Sequence, residues 1–353
     1  MMLLVINPGG TSTKVSVFNG EKEILKKNII HDHEELQGFE YVMDQLEYRK
    51  DLILDLLKSE GYEIDRFEVI VGRGGLMKPI PGGVYRVNDA MIKDLRNRIN
   101  GEHASNLGAC LAFDIANEIG KPAYIVDPVS VDEFLDVSRI TGINDIVKAS
   151  WLHALNHKAV CRSVAEKMGD KYQNLNFIVA HLGSGISIVA HLKGKMIDGS
   201  GGRSDGPFSP ERSGGLPTYD LINLCFSGKY TYEEMVDKVS NSGGMYSYLR
   251  TKDMKVIEEK ALSGDSKYRS ILDAFCYKVS KEIASYTASL EGKVDGVIIT
   301  GGIAYSDHVV DYLRRKIGWI AEVFVVPGEM EMEALAKGAI RVLKKEEQEL
   351  VYR

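Results

Sequence analysis

Three apolar runs in this chain each end in a glycine-bearing loop: Asn7–Gly10, His181–Gly185 and Gly301–Ile303. Such loops can turn backbone N–H groups toward an anion with no Cβ in the way. A single one reads most simply as a tight turn. Three in one chain, two of them in repeated surroundings, point to a bound polyphosphate. None has GxxxxGK followed by Ser or Thr, and none is a GxGxxG fingerprint in context, which argues against a P-loop kinase and a Rossmann dehydrogenase. Arg73 stands among glycines in Gly72-Arg73-Gly74-Gly75, where packing gives little reason for a guanidinium. It reads as a ligand for a carboxylate or phosphoryl group. His153 and His157 lie four residues apart, on one face of an expected helix. They fit either satisfied core histidines or site residues, and no third zinc ligand stands at a useful spacing. His103 fits equally a pocket residue or a neighbour of a helix cap. His31 and His33, in a polar stretch, are expected in solvent. Asp205 and Glu211 are expected as surface charges, and Met245–Tyr248 as packing.

The elements that must position these residues alternate in type. Leu3–Ile6 is a short apolar run broken by Asn7-Pro8-Gly9-Gly10; Thr13–Phe18 resumes it, and Asn19-Gly20 signals a hairpin turn. Two antiparallel strands around a glycine loop are expected, with a third near Glu23–Ile30. Glu34–Glu60 is expected as one long amphipathic helix, Val69–Val71 as a buried strand, and Asn88–Arg98 and Ser105–Ile119 as helices. Ala123–Val126 is a strand ending at Asp127-Pro128, and Ser150–Met168 a helix. Phe177–Ala180, the His181–Gly185 loop and Ile186–Leu192 repeat the first unit. Val5 matches Val179, Gly9 matches Gly183, Val15 matches Val189 and Gly20 matches Gly194, a constant offset that marks an internal repeat. Gly199–Gly215 is a long Gly/Ser/Pro stretch of the kind that is functional or mobile. Ser270–Glu291 is a helix, Val297–Thr300 and Glu322–Val326 are strands, and Glu333–Glu346 is a terminal helix. The class is α/β.

With 353 residues, 44% hydrophobic and 27% charged, the chain exceeds what one core usually fills, and two domains are expected. A net charge of −6 without a Lys/Arg block makes nucleic acid an unsuitable partner. The start, MMLLVINPGG, has no basic region, and no apolar run approaches the ~18 residues of a membrane span. Four cysteines, Cys110, Cys161, Cys225 and Cys276, show no CxxC pairing and read as reduced core thiols of a cytoplasmic protein.

The segments LLVINPGGTSTKVSVF, WLHALNHKAV, AHLGSGISIVAHLKGK, RSGGLP and ITGGI resemble the acetate kinase family, within the actin/hexokinase/sugar-kinase-like ATPases. Their order and spacing match from Leu3 to about Val342. The Pro8 and Thr11 form of the first segment, VGRGGLMKPIPGG and VDPVSVDEF resemble the branch of that family whose acid is butyrate. The resemblance implies two duplicated ribonuclease H-like lobes, each a mixed sheet flanked by helices, with the active-site cleft between them. It places an N-terminal lobe at 1–150, a nucleotide-binding lobe at 151–338, and a C-terminal helix, about 339–353, that crosses back to the first. It implies ATP/ADP and Mg²⁺ as cofactors, a short-chain carboxylate and its acyl phosphate as substrate and product, no membrane partner, and a homo-oligomer.

Roles carry over by position. Asn7 falls where the family has a residue near metal and phosphates; Gly9, Gly10, Thr11, Ser12 and Lys14 belong to the same hairpin. Asp127 stands at the family's catalytic or metal-associated aspartate. His153 and His157 match the two histidines of FHGTSH. His181, Gly183, Ser184 and Gly185 match HLGNG, with Ser184 in place of Asn. Arg212 matches the arginine of TRSG. Gly301, Gly302 and Ile303 match the nucleotide loop AGIGEN, whose last three residues are replaced here by Ala304-Tyr305-Ser306. Glu333 lies within a residue or two of a metal-linked glutamate. An ungapped match sets Arg73 opposite a histidine of HRVVHGG and not its arginine; Arg73 is still read as the ligand.

A carboxylate substrate is ionised at neutral pH and needs no general base. Its difficulty is repulsion from the γ-phosphate, so the site needs positive charge and alignment for in-line transfer. Arg73, Arg212 and His153 suit that demand, with Asp127 orienting an arginine or standing by the metal. One methylene discriminates by only ~1–3 kcal/mol, so isobutyrate or acetate remain alternatives to butyrate. A sugar kinase, with Asp127 as base, and a chaperone-like ATPase module are readings of other kinds.

Overall fold

Strand β1 (Met2–Pro8) is buried from Leu3 through Pro8, as an apolar run without polar alternation requires. In the computed structural model, which describes residues 1–201 and 205–353, β1 pairs antiparallel with β2 (Ser12–Asn19), and β2 with β3 (Lys22–Ile30). Residues 202–204 of the expected long loop lie outside the described residues. β4 (Val69–Gly72) runs parallel to β1, followed by β5 (Val84–Arg86) and β6 (Ala123–Val126). Then come β7 (Asn176–Leu182), β8 (Ile186–Leu192), β9 (Lys195–Ser200), β10 (Gly296–Gly301), β11 (Val323–Pro327) and β12 (Leu350–Val351). They form two mixed sheets, ordered β12-β5-β6-β4-β1-β2-β3 and β11-β10-β7-β8-β9. The chain divides into two compact units accordingly: Met1–Asp132 with Met330–Arg353, and Glu133–Glu329.

The internal repeat is real, with one correction. β1 and β7 match end to end, Met2 with Asn176 and Pro8 with Leu182. In the first hairpin Pro8 pairs with Thr13; in the second Leu182 pairs with Ile186. The second loop is therefore one residue shorter, Gly183–Gly185 against Gly9–Ser12. Beyond it the match moves by one: Leu4 pairs with Val17, whereas its counterpart Ile178 pairs with Ala190. A bulge follows at the same place in both copies, between Val17 and Phe18 and between Ala190 and His191. Lys14 thus corresponds to Ser187 and Phe18 to His191. Because strand side chains alternate faces, this one-residue change decides which of them share a face.

The helix expected over Glu34–Glu60 is broken. Gly38 ends a short helix, His33–Gln37, by donating its N–H to Glu35 and Leu36 carbonyls; a 3₁₀ turn and the helix Leu46–Ser59 follow. That helix buries Leu46, Arg49, Ile53 and Leu57 along one stripe. The helix expected from Ser150 starts at Ala154 and runs to Lys167, with His153 at its N-cap position and not on its face. Short strands β5, β9 and β12, and the helices Thr218–Cys225, Tyr232–Ser240, Gly244–Leu249 and Met254–Leu262, are additions to the sequence reading. Among the described residues no helix is long and apolar enough to cross a membrane.

Each unit has its own apolar core. In the first, helix Asn106–Glu118 lies so close to β4 that a Cβ on Gly72 would collide with the Gly108 carbonyl, and one on Gly108 with the Arg73 carbonyl. The glycines beside Arg73 are thus packing devices that set its backbone against a buried helix. The last helix, Glu331–Leu343, packs in the same unit, with Gly338 against Val126 of β6.

Candidate active site

The first glycine loop is tied from below. Gly9 donates its N–H to the Ser12 carbonyl, 2.7 Å away. Arg49, 1% exposed, reaches the loop from helix Leu46–Ser59. Its Nη1 donates to the Gly9 carbonyl (2.8 Å) and to Thr13 Oγ1 (3.1 Å), and its Nη2 to the Gly10 carbonyl (3.1 Å). Gln45 Oε1 accepts from Arg49 Nε and Nη2 at 3.0 and 2.7 Å. The guanidinium holds these carbonyls inward, leaving the N–H groups of Gly10 and Thr11 without a protein acceptor among the described residues. Thr11 and Gly10 are exposed, and Lys14, across the hairpin from Asn7, is exposed too.

At the end of β1, Asn7 is buried and donates from Nδ2 to Glu331 Oε2 at 2.8 Å. Arg73 Nη1 lies 2.9 Å from Glu331 Oε1 and donates to Asn7 Oδ1 at 3.2 Å. Asn7, Arg73 and Glu331 therefore form one closed triangle. Glu333, the expected metal-linked residue, is exposed; the glutamate that reaches Asn7 is two residues earlier, on the first turn of the last helix. His103, whose Nδ1 is 2.7 Å from Ser105 Oγ, is held below the usual imidazole value by desolvation and by the Arg73 charge. Asp127 has φ +38, rare for a side chain other than glycine. Its Oδ1 accepts from the Gly83 N–H at 2.8 Å, and its own N–H donates to the Gly83 carbonyl at 2.9 Å. Its carboxylate is thus engaged with backbone.

The second unit gathers its own set. Gly183 N–H donates to the Gly185 carbonyl at 3.1 Å, the counterpart of the Gly9 bond. Ser209, fully buried, donates from Oγ to the Ser184 carbonyl at 2.6 Å and accepts there from the Arg212 N–H at 3.0 Å. One hydroxyl thereby fastens Arg212 to the glycine loop. A Cβ on Gly185 would lie 2.9 Å from Arg212 Nη1 and 3.4 Å from His153 Cε1, so a side chain there would have to displace the Arg212 guanidinium. The His153 ring stacks on His181, centroids 4.1 Å apart at 19°. Asn156 Nδ2 donates to His181 Nδ1 at 2.9 Å, which leaves His181 Nε2 to carry a proton, 4.0 Å from Glu329 Oε1. His153 Nδ1 sits 2.8 Å from Ser187 Oγ.

Gly301 ends β10 at φ +91 and exchanges both backbone bonds with Gly328, at 3.1 and 2.9 Å. Gly302 is exposed and Ile303 buried. Ser306, in the replaced tail, caps helix Asp307–Ile317 by accepting from the Val309 N–H, and donates to Glu258 at 2.7 Å. Its side chain serves the helix and not the loop.

The structure thus draws Asn7 and Arg73 together with Glu331, and His153, His181, Gly185 and Arg212 together in the other unit. Sequence reasoning missed Arg49, Ser209 and Glu331. An arginine without a carboxylate partner, on the apolar stripe of a helix beside Gln45, was the available signal for the first. One further reading is corrected. His31 is buried, not solvated: its Nε2 is 2.8 Å from Thr13 Oγ1, and burial, then the Arg49 charge, lowers its pKa to about 4. His33 is exposed as expected. His157 is fully buried, Glu211 pairs with Lys252 at 3.0 Å, and Met245 is core. Among the described residues no three acidic, histidine or cysteine side chains gather into a metal cage. Mg²⁺ does not demand one: it keeps waters and binds one or two carboxylates plus phosphate oxygens, and the hard oxygens of Asn7 and Glu331 suit it.

A profile of the acetokinase family matches residues 144–323. Butyrate kinase 1 of Clostridium acetobutylicum is 49% identical over 352 residues, 99% of this chain and 99% of that protein. Among solved structures, Porphyromonas gingivalis acetate kinase superposes with a TM-score of 0.81 at 17% identity, covering 97% of this chain and 99% of that one. A propionate kinase from Francisella tularensis superposes with a TM-score of 0.76 at 19% identity, covering 95% and 98%. These two likenesses establish the actin-like ATPase fold.

Arg49→Met leaves the Gly9 and Gly10 carbonyls without their buried donor. At about 1–3 kcal/mol for an unsatisfied buried group, urea titration should show a loss of that order. An unchanged midpoint would mean that the loop does not rely on Arg49. The acid limb of stability should also be steep. Burial keeps His31, His157 and His191 below the usual 6.5, so the unfolded chain binds more protons as pH falls through that value. Stability present above about pH 6.5 is then lost on acidification, for His31 down to about pH 4. Urea midpoints between pH 7 and 4.5 should fall less steeply for His31→Gln; equal slopes would acquit His31.

Proposed function

The chain belongs to the acetokinase family, and from that premise we propose that it transfers the γ-phosphoryl group of ATP to a short-chain fatty acid, butyrate above others, forming an acyl phosphate and ADP. The near-full-length likeness to a butyrate kinase carries the choice of acid. Isobutyrate and acetate are the neighbouring alternatives, since one methylene is worth only about 1–3 kcal/mol. A sugar kinase would need a carboxylate base. The occupied state of Asp127, bonded to the Gly83 N–H, supports a scaffolding role for it instead.

The substrate carboxylate attacks the γ-phosphorus directly, and the phosphorus–oxygen bond to ADP breaks in line. No proton has to move. The chain's task is to overcome repulsion between two anions. We assign the clamping of carboxylate and equatorial oxygens to Arg73 and Arg212, whose planar forks suit such oxygens. The exposed N–H groups of Gly10 and Thr11, with Ser12 and Lys14, and the loop Gly183–Gly185 with His181, hold phosphate oxygens; Gly301–Ile303 holds the nucleoside end. His153 donates a hydrogen bond to the transferring group while neutral. Asn7 and Glu331, rather than Glu333, are the residues to hold Mg²⁺, which supplies charge neutralisation when bound. Reduced cysteines support a reducing compartment such as the cytoplasm, and symmetric self-association is the default for such enzymes.

Hydroxamate trapping of acyl phosphate with butyrate, isobutyrate, propanoate, acetate and a hexose panel tests the reading. Acid-dependent hydroxamate is expected; phosphorylated hexose in its place would overturn it. Arg212→Ala should lower kcat by about 10²–10³, as removal of one charge-stabilising donor does, with little change in KM for ATP. An unchanged kcat would take Arg212 out of the transition state. Glu331→Gln should raise the Mg²⁺ concentration for half-maximal rate by about tenfold. Glu333→Gln should leave it alone, and the opposite pattern would restore Glu333.

A further inference from the structure

Behind His153 the second unit holds a line of buried polar groups that the transfer reaction does not use. Ser187 and His191 share a face of β8; His157 and Cys161 follow one another on helix Ala154–Lys167. Ser187, His157, His191 and Cys161 are fully buried, and Tyr172 is 3% exposed. Tyr172 Oη lies 2.6 Å from His191 Nδ1, His191 Nε2 lies 3.3 Å from His157 Nδ1, His157 Nε2 lies 2.7 Å from Ser187 Oγ, and Ser187 Oγ lies 2.8 Å from His153 Nδ1. We propose that this chain fixes the tautomer of His153, so that its ring presents Nε2–H to the group being transferred. The inference rests on the role assigned to His153 above.

The direction of the chain is set at its deep end. Two donors converge on His191 Nδ1: the Tyr172 hydroxyl and the Cys161 thiol, whose Sγ is 3.6 Å away. Burial pushes the Cys161 pKa up, so the sulfur keeps its proton. A bare His191 Nδ1 can accept from both the phenol and the thiol, and the scheme takes it as the bare nitrogen. A neutral imidazole has one donor and one acceptor, so each ring passes the direction on. His191 Nε2–H donates to His157 Nδ1, His157 Nε2–H donates to Ser187 Oγ, and Ser187 Oγ–H donates to His153 Nδ1. The proton of a neutral His153 is left on Nε2. In the reverse arrangement an Nδ1–H of His191 would donate to the Tyr172 oxygen, and the Cys161 thiol would lose this nitrogen as its acceptor. Burial holds both His157 and His191 neutral, so no buried charge reverses the order. His181, stacked on His153, is fixed alike: its Nδ1 accepts from Asn156. Tyr172, His191, His157 and Ser187 are positioning residues in this scheme. The one-residue shortening of the second glycine loop is what puts Ser187 and His191 where the first copy has Lys14 and Phe18.

Nitrogen NMR of ¹⁵N-histidine-labelled protein tests it, with the His153 signals identified by their loss in His153→Gln. The native protein should show His153 as the Nε2–H form. In Tyr172→Phe/Cys161→Ala the two His153 nitrogen shifts should move toward each other as both tautomers populate. kcat for acyl phosphate formation should fall about fivefold, the size of one net hydrogen bond, while both KM values hold. Ser187→Ala, which cuts the chain beside His153 and spares its deep end, should do the same, and Ser187→Thr should restore both readings. A native His153 with its proton on Nδ1, or an unmoved tautomer in both cut variants, would overturn the proposal. Failure of the acid-kinase reading is seen separately: the native tautomer signature would persist in a protein that makes no acyl phosphate.

Discussion

A backbone loop can receive an anion with its N–H groups only if its carbonyl oxygens are held facing the other way. In this protein both copies of the hairpin meet that condition, by different means. In the first, Arg49 takes the carbonyls of Gly9 and Gly10 from within the core, an unusual use of a guanidinium with no carboxylate beside it. In the second, the Ser209 hydroxyl takes the Ser184 carbonyl and the Arg212 N–H together. The glycines supply room, and the buried donors supply direction. Without the donors the loops would be free to turn their carbonyls outward, and the same glycines would repel phosphate.

The two copies also show how a repeated scaffold acquires unlike chemistry. β1 and β7 are matched residue for residue, so Asn7 corresponds to His181. The pairing of β4 and β10 makes Arg73 the counterpart of Thr300. Across the shortened loop Lys14 corresponds to Ser187. At three equivalent positions the first unit carries a cation or an amide where the second carries a hydroxyl or an imidazole. The first unit therefore concentrates charge around the Asn7–Arg73–Glu331 triangle. The second concentrates oriented neutral donors, with Arg212 as the cation the hairpin itself does not provide.

Much of the fold was legible because unbroken apolar runs, glycine loops and turn pairs dictate strands locally. The α/β class and the hairpin repeat rest on such signals. Local signals also explain the misses. Gly38 ended a helix whose apolar pattern ran on through it. The slip between hairpin copies hid because both loops are glycine-rich and an unshifted match still sets Val15 opposite Val189 and Gly20 opposite Gly194. Among the candidate site residues, types were legible and partners were not. Glu331 and Glu333 stand on one helix with similar neighbours, and only packing of that helix against β1, β4 and β6 decides which reaches Asn7. Arg49 and Ser209 act across 40 and 25 residues of sequence, where no spacing rule operates. His31 sat among polar neighbours, and its burial depends on Thr13 and Tyr48 coming to it from elsewhere.

The segment Met330–Arg353 belongs to the unit that begins at Met1, and it gives that unit Glu331, the helix over β6 and the strand beside β5. A ribosome makes these residues after the whole of Glu133–Glu329. At about 5–20 residues per second the nascent first unit waits roughly 10–40 s for its closing pieces. During that interval the face of β1, β4 and β6 that helix Glu331–Leu343 will cover is apolar and bare. Arg73 and Asn7 lack the carboxylate that joins them. The unit translated first can finish only after the unit translated second.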